Sequence, residues 1–226
     1  MKRARAALLI LSILAVILAS APDARAEVIV PAEIQAQLIS KITAYDRGFR
    51  ARVDGSAQVL LVRKVGDGDS AALATAMARA LQGLNEVGGV SSSVETIDYK
   101  GAANLARAVV EKHAAIAYLS LGLESECSAI AHALEGKDVM TVGATATMVE
   151  EGANVGFDLV ASKTKLVINV STARAQGVRF TADFLKLTRI VGPAPIVGGG
   201  HSGQAPRAPG SLPWLRQLFA LLGDAT

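Results

Sequence analysis

Cysteine is almost absent from this 226-residue chain, in which Cys127 is the only one. A single cysteine excludes an internal disulfide framework, so the fold must rely on its hydrophobic core. Two states remain open for the thiol. It is either a buried, unreactive side chain, the commoner state of a lone cysteine, or it pairs with a cysteine of another chain.

Histidine and aromatic residues are also scarce. The three histidines, His113, His132 and His201, are scattered and lack the spacing of zinc ligands. Aromatic residues make up 4% of the chain, which leaves few platforms for stacked bases. The composition therefore predicts neither a zinc site nor any other cofactor site.

The first 26 residues have the pattern of a secretory signal peptide. Basic residues at positions 2, 3 and 5 precede an apolar run over 6–19, and small residues lead to a cleavage site between Ala26 and Glu27. A membrane anchor is the alternative, although the run is shorter than the roughly 18 apolar residues that a spanning helix needs. Because no cysteine lies near the cleavage site, we expect a mature protein without lipid attachment, outside the cytoplasm.

Surplus positive charge is missing once the signal peptide is removed. The whole chain has 23 basic and 20 acidic residues, of which residues 1–26 contain four and one, so the mature chain has 19 of each. A nucleic-acid binder needs surplus Lys and Arg to displace counterions from phosphates. We therefore expect no nucleic-acid partner.

Helical and strand patterns alternate along the rest of the chain. Continuous short apolar runs are typical of strands covered on both faces, and apolar residues at 3.6-residue spacing indicate helices. The predicted helices span 31–49, 72–89, 101–113 and 124–136, and the predicted strands span 59–62, 93–99, 114–121 and 138–144. This order predicts an α/β domain over 27–192, with a mostly parallel, doubly wound sheet flanked by helices on both faces. Residues 154–170 leave no room for a crossover helix, so we expect a C-terminal antiparallel hairpin added to the sheet.

The composition changes after residue 192. Residues 193–210 form a Pro- and Gly-rich linker, and 211–226 predict a short amphipathic helix. Its apolar face contains the candidate partner contacts Trp214, Leu215, Leu218, Phe219 and Leu222. This helix either packs back on the domain or docks on a partner or membrane surface.

The turn after the first strand lacks a nucleotide-binding motif. It reads GDGDS over 66–70, where nucleotide binders place G-x-G-x-x-G or G-x-x-x-x-G-K-[ST]. Asp67 and Asp69 would repel a phosphate at this helix start but would stabilise the helix as caps, and a calcium site is a weaker alternative.

The remaining candidates for chemistry also have structural explanations. Cys127 and His132 lie five residues apart, on different sides of a helix, and the neighbouring carboxylates raise the pKa of the thiol. A catalytic dyad is therefore not predicted. Glu150 and Glu151 are most simply a solvated turn, with a role in a cleft as the alternative.

Several short motifs follow one another in residues 138–192. A glycine precedes a hairpin strand containing Phe, and an L-x-I-N strand, an A-R-x-x-G helix and a final L-K-L segment follow. The motif residues are Gly152, Phe157, Asn169, Arg174, Gly177 and Leu187. As a set in this order, they resemble the YfiR-like family of periplasmic proteins. With a weaker match in the order of elements from Val59, the resemblance covers most of residues 31–192.

This resemblance implies an exported regulatory protein without catalytic residues, often a homodimer. The best-understood members bind the periplasmic sensor portion of an inner-membrane diguanylate cyclase and hold it inactive, so the implied partner is a membrane sensor of the cyclase or kinase type. The characterised type carries paired cysteines, whereas this chain has only Cys127, so redox control is not carried over. A periplasmic solute-binding or accessory transport component, with a crevice at the carboxyl ends of the strands, is the alternative, and an enzyme of unrecognised type is a third.

Asn169 is a polar residue at the end of an otherwise apolar strand. Once buried, its amide must find hydrogen-bond partners, and the sequence STARAQG starts a helix directly after it. We expect the amide to satisfy backbone groups where the strand turns into that helix, a structural role rather than a functional one.

Overall fold

The computed structural model describes residues 29–192. Its strands are β1 (Ala57–Arg63), β2 (Glu86–Val87), β3 (Val90–Asp98), β4 (Ala114–Leu119), β5 (Met140–Gly143), β6 (Val155–Val160), β7 (Lys163–Asn169) and β8 (Arg189–Val191). Its α-helices are α1 (Ala32–Ile42), α2 (Gly68–Leu84), α3 (Ala102–Glu111), α4 (Cys127–Ala133), α5 (Ala146–Glu150), α6 (Val170–Ala175) and α7 (Ala182–Leu185). The expected signal peptide with its cleavage site at Ala26 and Glu27, the linker over 193–210 and the helix over 211–226 lie outside the described residues. Across residues 29–192, no helix combines the length and the apolar character needed to cross a membrane.

All strands of the described region belong to one sheet, in the order β2-β3-β1-β4-β5-β6-β7-β8. Within this order, the neighbouring strands β3-β1-β4-β5-β6 all pair in parallel. The chain moves from β1 to β3 on one side and then crosses back to β4 on the other, so right-handed crossovers place α2 and α3 on opposite faces. The predicted mostly parallel, doubly wound α/β sheet is confirmed.

The central strands owe their continuous apolar runs to burial on both faces. Every residue of β4 is buried, and Leu60, Leu61 and Ile116 are among the largest fully buried side chains. Tyr118 is buried with them, and its hydroxyl donates to Gln35 Oε1 of α1 at 2.8 Å. Gln35 Nε2 in turn donates to the carbonyl of Val30 at 2.7 Å, so a buried polar chain attaches α1 to the sheet.

The predicted C-terminal hairpin is also confirmed. β6 pairs antiparallel with β7, and Phe157 lies opposite Leu166. The two-residue turn at Ala161 and Ser162 has positive φ at both positions, the geometry that matches the twist of hairpin strands. The prediction missed β8, which returns through α6 and α7 to pair in parallel with β7.

The predicted helix over 72–89 is wrong at its C-terminal end. α2 ends at Leu84 with Asn85 in the left-handed conformation, and Glu86 already belongs to β2. Gly88 and Gly89, both at positive φ, form a two-residue turn that joins β2 to β3 in an antiparallel hairpin. Two consecutive glycines supply this turn without a steric cost, so the local turn overrides the helical pattern.

Two further helices are shorter than predicted. α1 ends at Ile42 and continues as a 3-10 turn over Thr43–Tyr45, and α4 is preceded by a 3-10 turn over Glu124–Glu126. The buried face of α2 consists of Ser70, Ala74, Met77 and Leu81.

Candidate functional site

The turn that follows α5 lies tightly against α4. Gly152 belongs to this turn, and a Cβ placed on it would approach the Cβ of Ala131 at 3.0 Å and the carbonyl oxygen of Cys127 at 3.1 Å. Phe157, on the strand that follows, is buried in the core. These two family-motif residues therefore position the hairpin on the helical layer.

Asn169 occupies the junction of β7 and α6. Its Oδ1 accepts a hydrogen bond from the backbone N–H of Thr172 at 3.1 Å, so the side chain caps the N-terminus of α6. Its Nδ2 donates to the carbonyl of Val149 at 3.4 Å, which reaches α5. Asn169 is half-buried rather than fully buried.

The other three motif residues have different surroundings. Gly177 has φ of +76° and lies so close to the carboxylate of Asp138 that a side chain there would overlap it. Arg174 is exposed in the last turn of α6, and Leu187 is 40% exposed. The structure thus gives Gly177 a packing role and leaves Arg174 and Leu187 at the surface.

A buried polar network that the sequence did not reveal lies beneath these motif residues. Thr141 of β5 exchanges hydrogen bonds with Asn154, whose Oδ1 accepts from the Thr141 N–H at 2.9 Å. The Thr141 hydroxyl donates to Gln176 Oε1 at 3.1 Å, and Gln176 Nε2 donates to the carbonyl of Ala131 at 3.4 Å. All three polar residues are fully buried, so the network fixes β5, β6 and α6 relative to α4. The only sequence signal was a polar residue inside the apolar run over 138–144.

The segment after α1 is joined to the segment after α6. Asp46 and Phe180 form an antiparallel bridge, and Asp46 Oδ1 accepts from the backbone N–H of Gly48 at 3.0 Å and of Arg179 at 2.9 Å. The carboxylate is buried and forms an ion pair with Arg52. Burial lowers the pKa of the Arg52 guanidinium to about 10. This contact closes the N-terminal part of the fold against its C-terminal part.

The chain's own side chains narrow the crevice at the carboxyl ends of β1 and β4. In open α/β sheets this switch point, where the strand order reverses, is the usual ligand site. Here Asp67 caps α2 by accepting the Ser70 N–H at 2.9 Å, and the Ser120 hydroxyl donates to the Ser70 carbonyl at 2.8 Å. A Cβ on Gly122 would lie 2.5 Å from Asp67 Oδ2 and 2.9 Å from Lys64 Cδ. The expected capping role of Asp67 is confirmed, and its carboxylate lies against Gly122 in this crevice.

Cys127 is a buried free cysteine. Its Sγ–H donates to the carbonyl of Leu123 at 3.4 Å. Burial, reinforced by Glu124, Glu151 and Glu126, raises the pKa of the thiol to about 12. His132 is solvent-exposed and lies 3.3 Å from Glu135 Oε1, so it does not act on Cys127. Glu150 is also exposed and pairs with Arg189 at 3.0 Å.

Shallow grooves lie on the surface of the described region. Two of about 330 Å³ flank the β1–β3 side of the sheet, and both include Asp98. A broader one of about 580 Å³ lies between the start of α1 and α2 and includes Glu33 and Asp69. Another, which we call the arginine groove, has a volume of about 340 Å³. Its lining consists of Val170, Ala173, Arg174, Val178, Arg179, Phe180 and Leu185.

Within residues 29–192, no group of three or more His, Cys, Asp or Glu side chains is arranged to hold a metal ion.

The resemblance seen in the sequence extends across the whole domain, because the model of the YfiR/HmsC-like family (DUF4154) matches residues 32–189. The chain belongs to this family. The match runs from the first residue of α1 to the first residue of β8, so the YfiR/HmsC-like domain and the described fold coincide.

Solved structures share the fold at low sequence identity. The ABC domain from Streptococcus pneumonia in complex with L-Trp is 13% identical, with a TM-score of 0.54 over 71% of this chain and 62% of the other. A conserved domain protein from Vibrio cholerae O1 biovar El Tor is 16% identical, with a TM-score of 0.52 over 73% and 60%. This chain therefore spans about three fifths of the length of the structures it resembles. No curated protein matches the sequence significantly.

Proposed function

We propose that the protein is a non-enzymatic periplasmic regulator that binds the sensor portion of an inner-membrane protein. In this proposal, binding represses a diguanylate cyclase or a related signalling output. The observation that carries the proposal is membership of the YfiR/HmsC-like family over residues 32–189. The balanced charge of the mature chain suits contact with a protein better than contact with nucleic acid.

The narrow switch point favours a protein partner over a small solute. A solute-binding protein of this architecture would place its ligand between the carboxyl ends of β1 and β4. Lys64 and Asp67 lie against Gly122 there, which narrows this space. The likeness to the L-Trp complex concerns the fold alone and does not transfer that ligand.

An enzymatic role is not proposed, because the groups best suited to chemistry are engaged or inert. The thiol of Cys127 is buried with a raised pKa, whereas a nucleophilic cysteine needs a lowered one. Asp67 is a helix cap, and Asp46 is held by two backbone N–H groups and an arginine.

The proposal is tested by capturing the partner and measuring the signal. Tagged mature protein is incubated with solubilised inner membranes of the native organism, and recovered proteins are identified by mass spectrometry. We expect a membrane protein with a periplasmic portion and a cyclase or kinase output. Deleting the gene should raise cyclic di-GMP, and restoring it should lower cyclic di-GMP again. Recovery of no membrane protein, together with unchanged cyclic di-GMP, would overturn the proposal.

Two further measurements on the purified mature protein test for solute binding and determine the oligomeric state. A thermal-shift screen against amino acids and other small periplasmic solutes should show no stabilisation, whereas a saturable increase in melting temperature would favour solute capture. Sedimentation of the mature protein should show a homodimer, as proposed from the family resemblance.

A further inference from the structure

The arginine groove differs in the sign of its charge from the three grooves described with it above. Each of the others includes at least one carboxylate: Asp98 in two of them, and Glu33 and Asp69 in the third. The arginine groove has two guanidinium groups, Arg174 and Arg179, and no carboxylate in its lining.

Within residues 29–192, neither guanidinium has a partner of its own. Several basic side chains in the described region form ion pairs, as Arg63 does with Asp98 at 2.7 Å and Lys186 with Asp183 at 3.0 Å. The side chains of Arg174 and Arg179 make no hydrogen bond or ion pair with any residue in 29–192. Asp46, which accepts the backbone N–H of Arg179, is buried and already paired with Arg52.

A third arginine increases the positive charge beside the groove. The backbone N–H of Arg47 donates to the carbonyl of Arg179 at 3.0 Å, next to the bridge between Asp46 and Phe180, so Arg47 and Arg179 are cross-strand neighbours. Like charges placed directly opposite on paired strands destabilise the pairing. An anionic group bound beside them would remove this repulsion.

The rest of the groove is apolar and firmly supported. Val170, Ala173 and Val178 are buried at its base, and Phe180 packs on Phe184 with ring centroids 5.2 Å apart. An arginine fork over an apolar base suits a carboxylate attached to an apolar body, because guanidinium groups bind carboxylates through paired N–H bonds.

We propose that the arginine groove binds an acidic, amphipathic segment of the partner protein, with aliphatic or aromatic side chains on Val170, Val178 and Phe180 and carboxylates on Arg174 and Arg179. This assignment rests on the proposed function, because it names the surface through which the regulator holds its sensor. The volume of about 340 Å³ lies at the small end of the roughly 300 to 1,000 Å³ of ligand pockets. It suits a few side chains of a peptide segment.

Charge-matched peptides provide the test on the full mature chain. Fluorescein-labelled amphipathic peptides share the same leucine and phenylalanine positions, and their polar positions are all glutamate, all glutamine or all lysine. We expect the glutamate peptide to bind about tenfold more tightly than the lysine peptide at low salt, with the difference shrinking as salt is added.

The variant Arg174→Glu/Arg179→Glu should reverse this order and favour the lysine peptide. The matched control is Arg79→Glu/Arg107→Glu, which makes the same change of net charge at two exposed arginines on α2 and α3. The control should keep the preference for glutamate. The gain of lysine-peptide binding is a positive signal, so a merely weakened fold cannot produce it. Equal affinity for the three peptides, or an unchanged order in the groove variant, would overturn the proposal.

The membrane capture separates this proposal from the proposed function. If the wild-type protein recovers its membrane partner and the groove variant recovers it equally well, the groove assignment fails and the function stands. If the wild-type protein recovers none, the function fails, and the peptide series still decides whether the groove binds acidic segments. A groove variant that changes from dimer to monomer would instead show that a second copy of this chain covers the groove, which also overturns the proposal.

Discussion

Replacing Asn169 with alanine removes a cap from the N-terminus of α6. In the folded protein, Asn169 Oδ1 accepts the N–H of Thr172 at 3.1 Å, and Nδ2 donates to the carbonyl of Val149 at 3.4 Å. The first contact has ordinary hydrogen-bond geometry, and the second is long. The Ala substitution leaves the Thr172 N–H and the Val149 carbonyl to find water or remain unpaired.

The size of the loss follows from these two contacts. Exchange of an N-cap residue for alanine costs about 1 kcal/mol, within a range of roughly 0.5 to 2. The long bond to Val149 adds little, and half-burial lets water reach part of the vacated site. We therefore expect a loss of about 1 to 2 kcal/mol in the free energy of unfolding. In a domain of this size, that corresponds to a fall in melting temperature of about 2 to 8 °C.

The measurement is urea denaturation of the mature protein, with calorimetry for the melting temperature. The control is Asn169→Asp, which retains the acceptor for Thr172 and places a negative charge at a helix N-terminus but loses the donor to Val149. Aspartate should retain more than half of the stability lost in the alanine variant. If Asn169→Ala unfolded like the wild type while partner capture failed, the structural role of Asn169 would be wrong and a contact role correct.

Other perturbations test the core and the close contacts. Tyr118→Phe should cost about 1 to 3 kcal/mol, because it leaves the buried Oε1 of Gln35 without its donor; an unchanged urea midpoint would contradict the buried polar chain. Gly177→Ala should cost at least about 1 to 3 kcal/mol, because φ is +76° and the methyl group would overlap Asp138; a stability equal to wild type would disprove that contact. The Cys127 thiol should resist alkylation at pH 8 in the folded state and react at once in urea, since burial raises its pKa to about 12. The unfolded chain releases the thiol proton near pH 9, whereas the folded chain keeps it. The free energy of unfolding should therefore fall as pH rises from 9 to 10, and this fall should be smaller in the Cys127→Ala variant than in the wild type.

Local sequence patterns were sufficient for the elements that are buried on both faces. β1 and β4 appear in the sequence as short unbroken apolar runs because helices cover both faces of the sheet, so successive side chains are buried on either face. The hairpin of β6 and β7 was predictable for a related reason, since two apolar runs joined by a few polar residues cannot be linked by a crossover helix.

The sequence was a weaker guide at the ends of elements. The Asn85 cap and the Gly88-Gly89 turn end α2 early and start β2, because turn geometry at a few residues outweighs a helical pattern that continues through them. β8 was missed because its three residues pair only with β7, and so short a segment has no periodicity of its own.

The sequence alone determined the α/β class, the capping role of Asp67 and the family motifs, because each depends on residues close together in the chain. Only the tertiary structure joined Asp46 to Arg179, Thr141 to Gln176, and Gly122 to Asp67, since each contact links segments that are distant in sequence. The same reason applies to the arginine groove. Arg47 and Arg179 are 132 positions apart, and the pairing at Asp46 and Phe180 makes them neighbours.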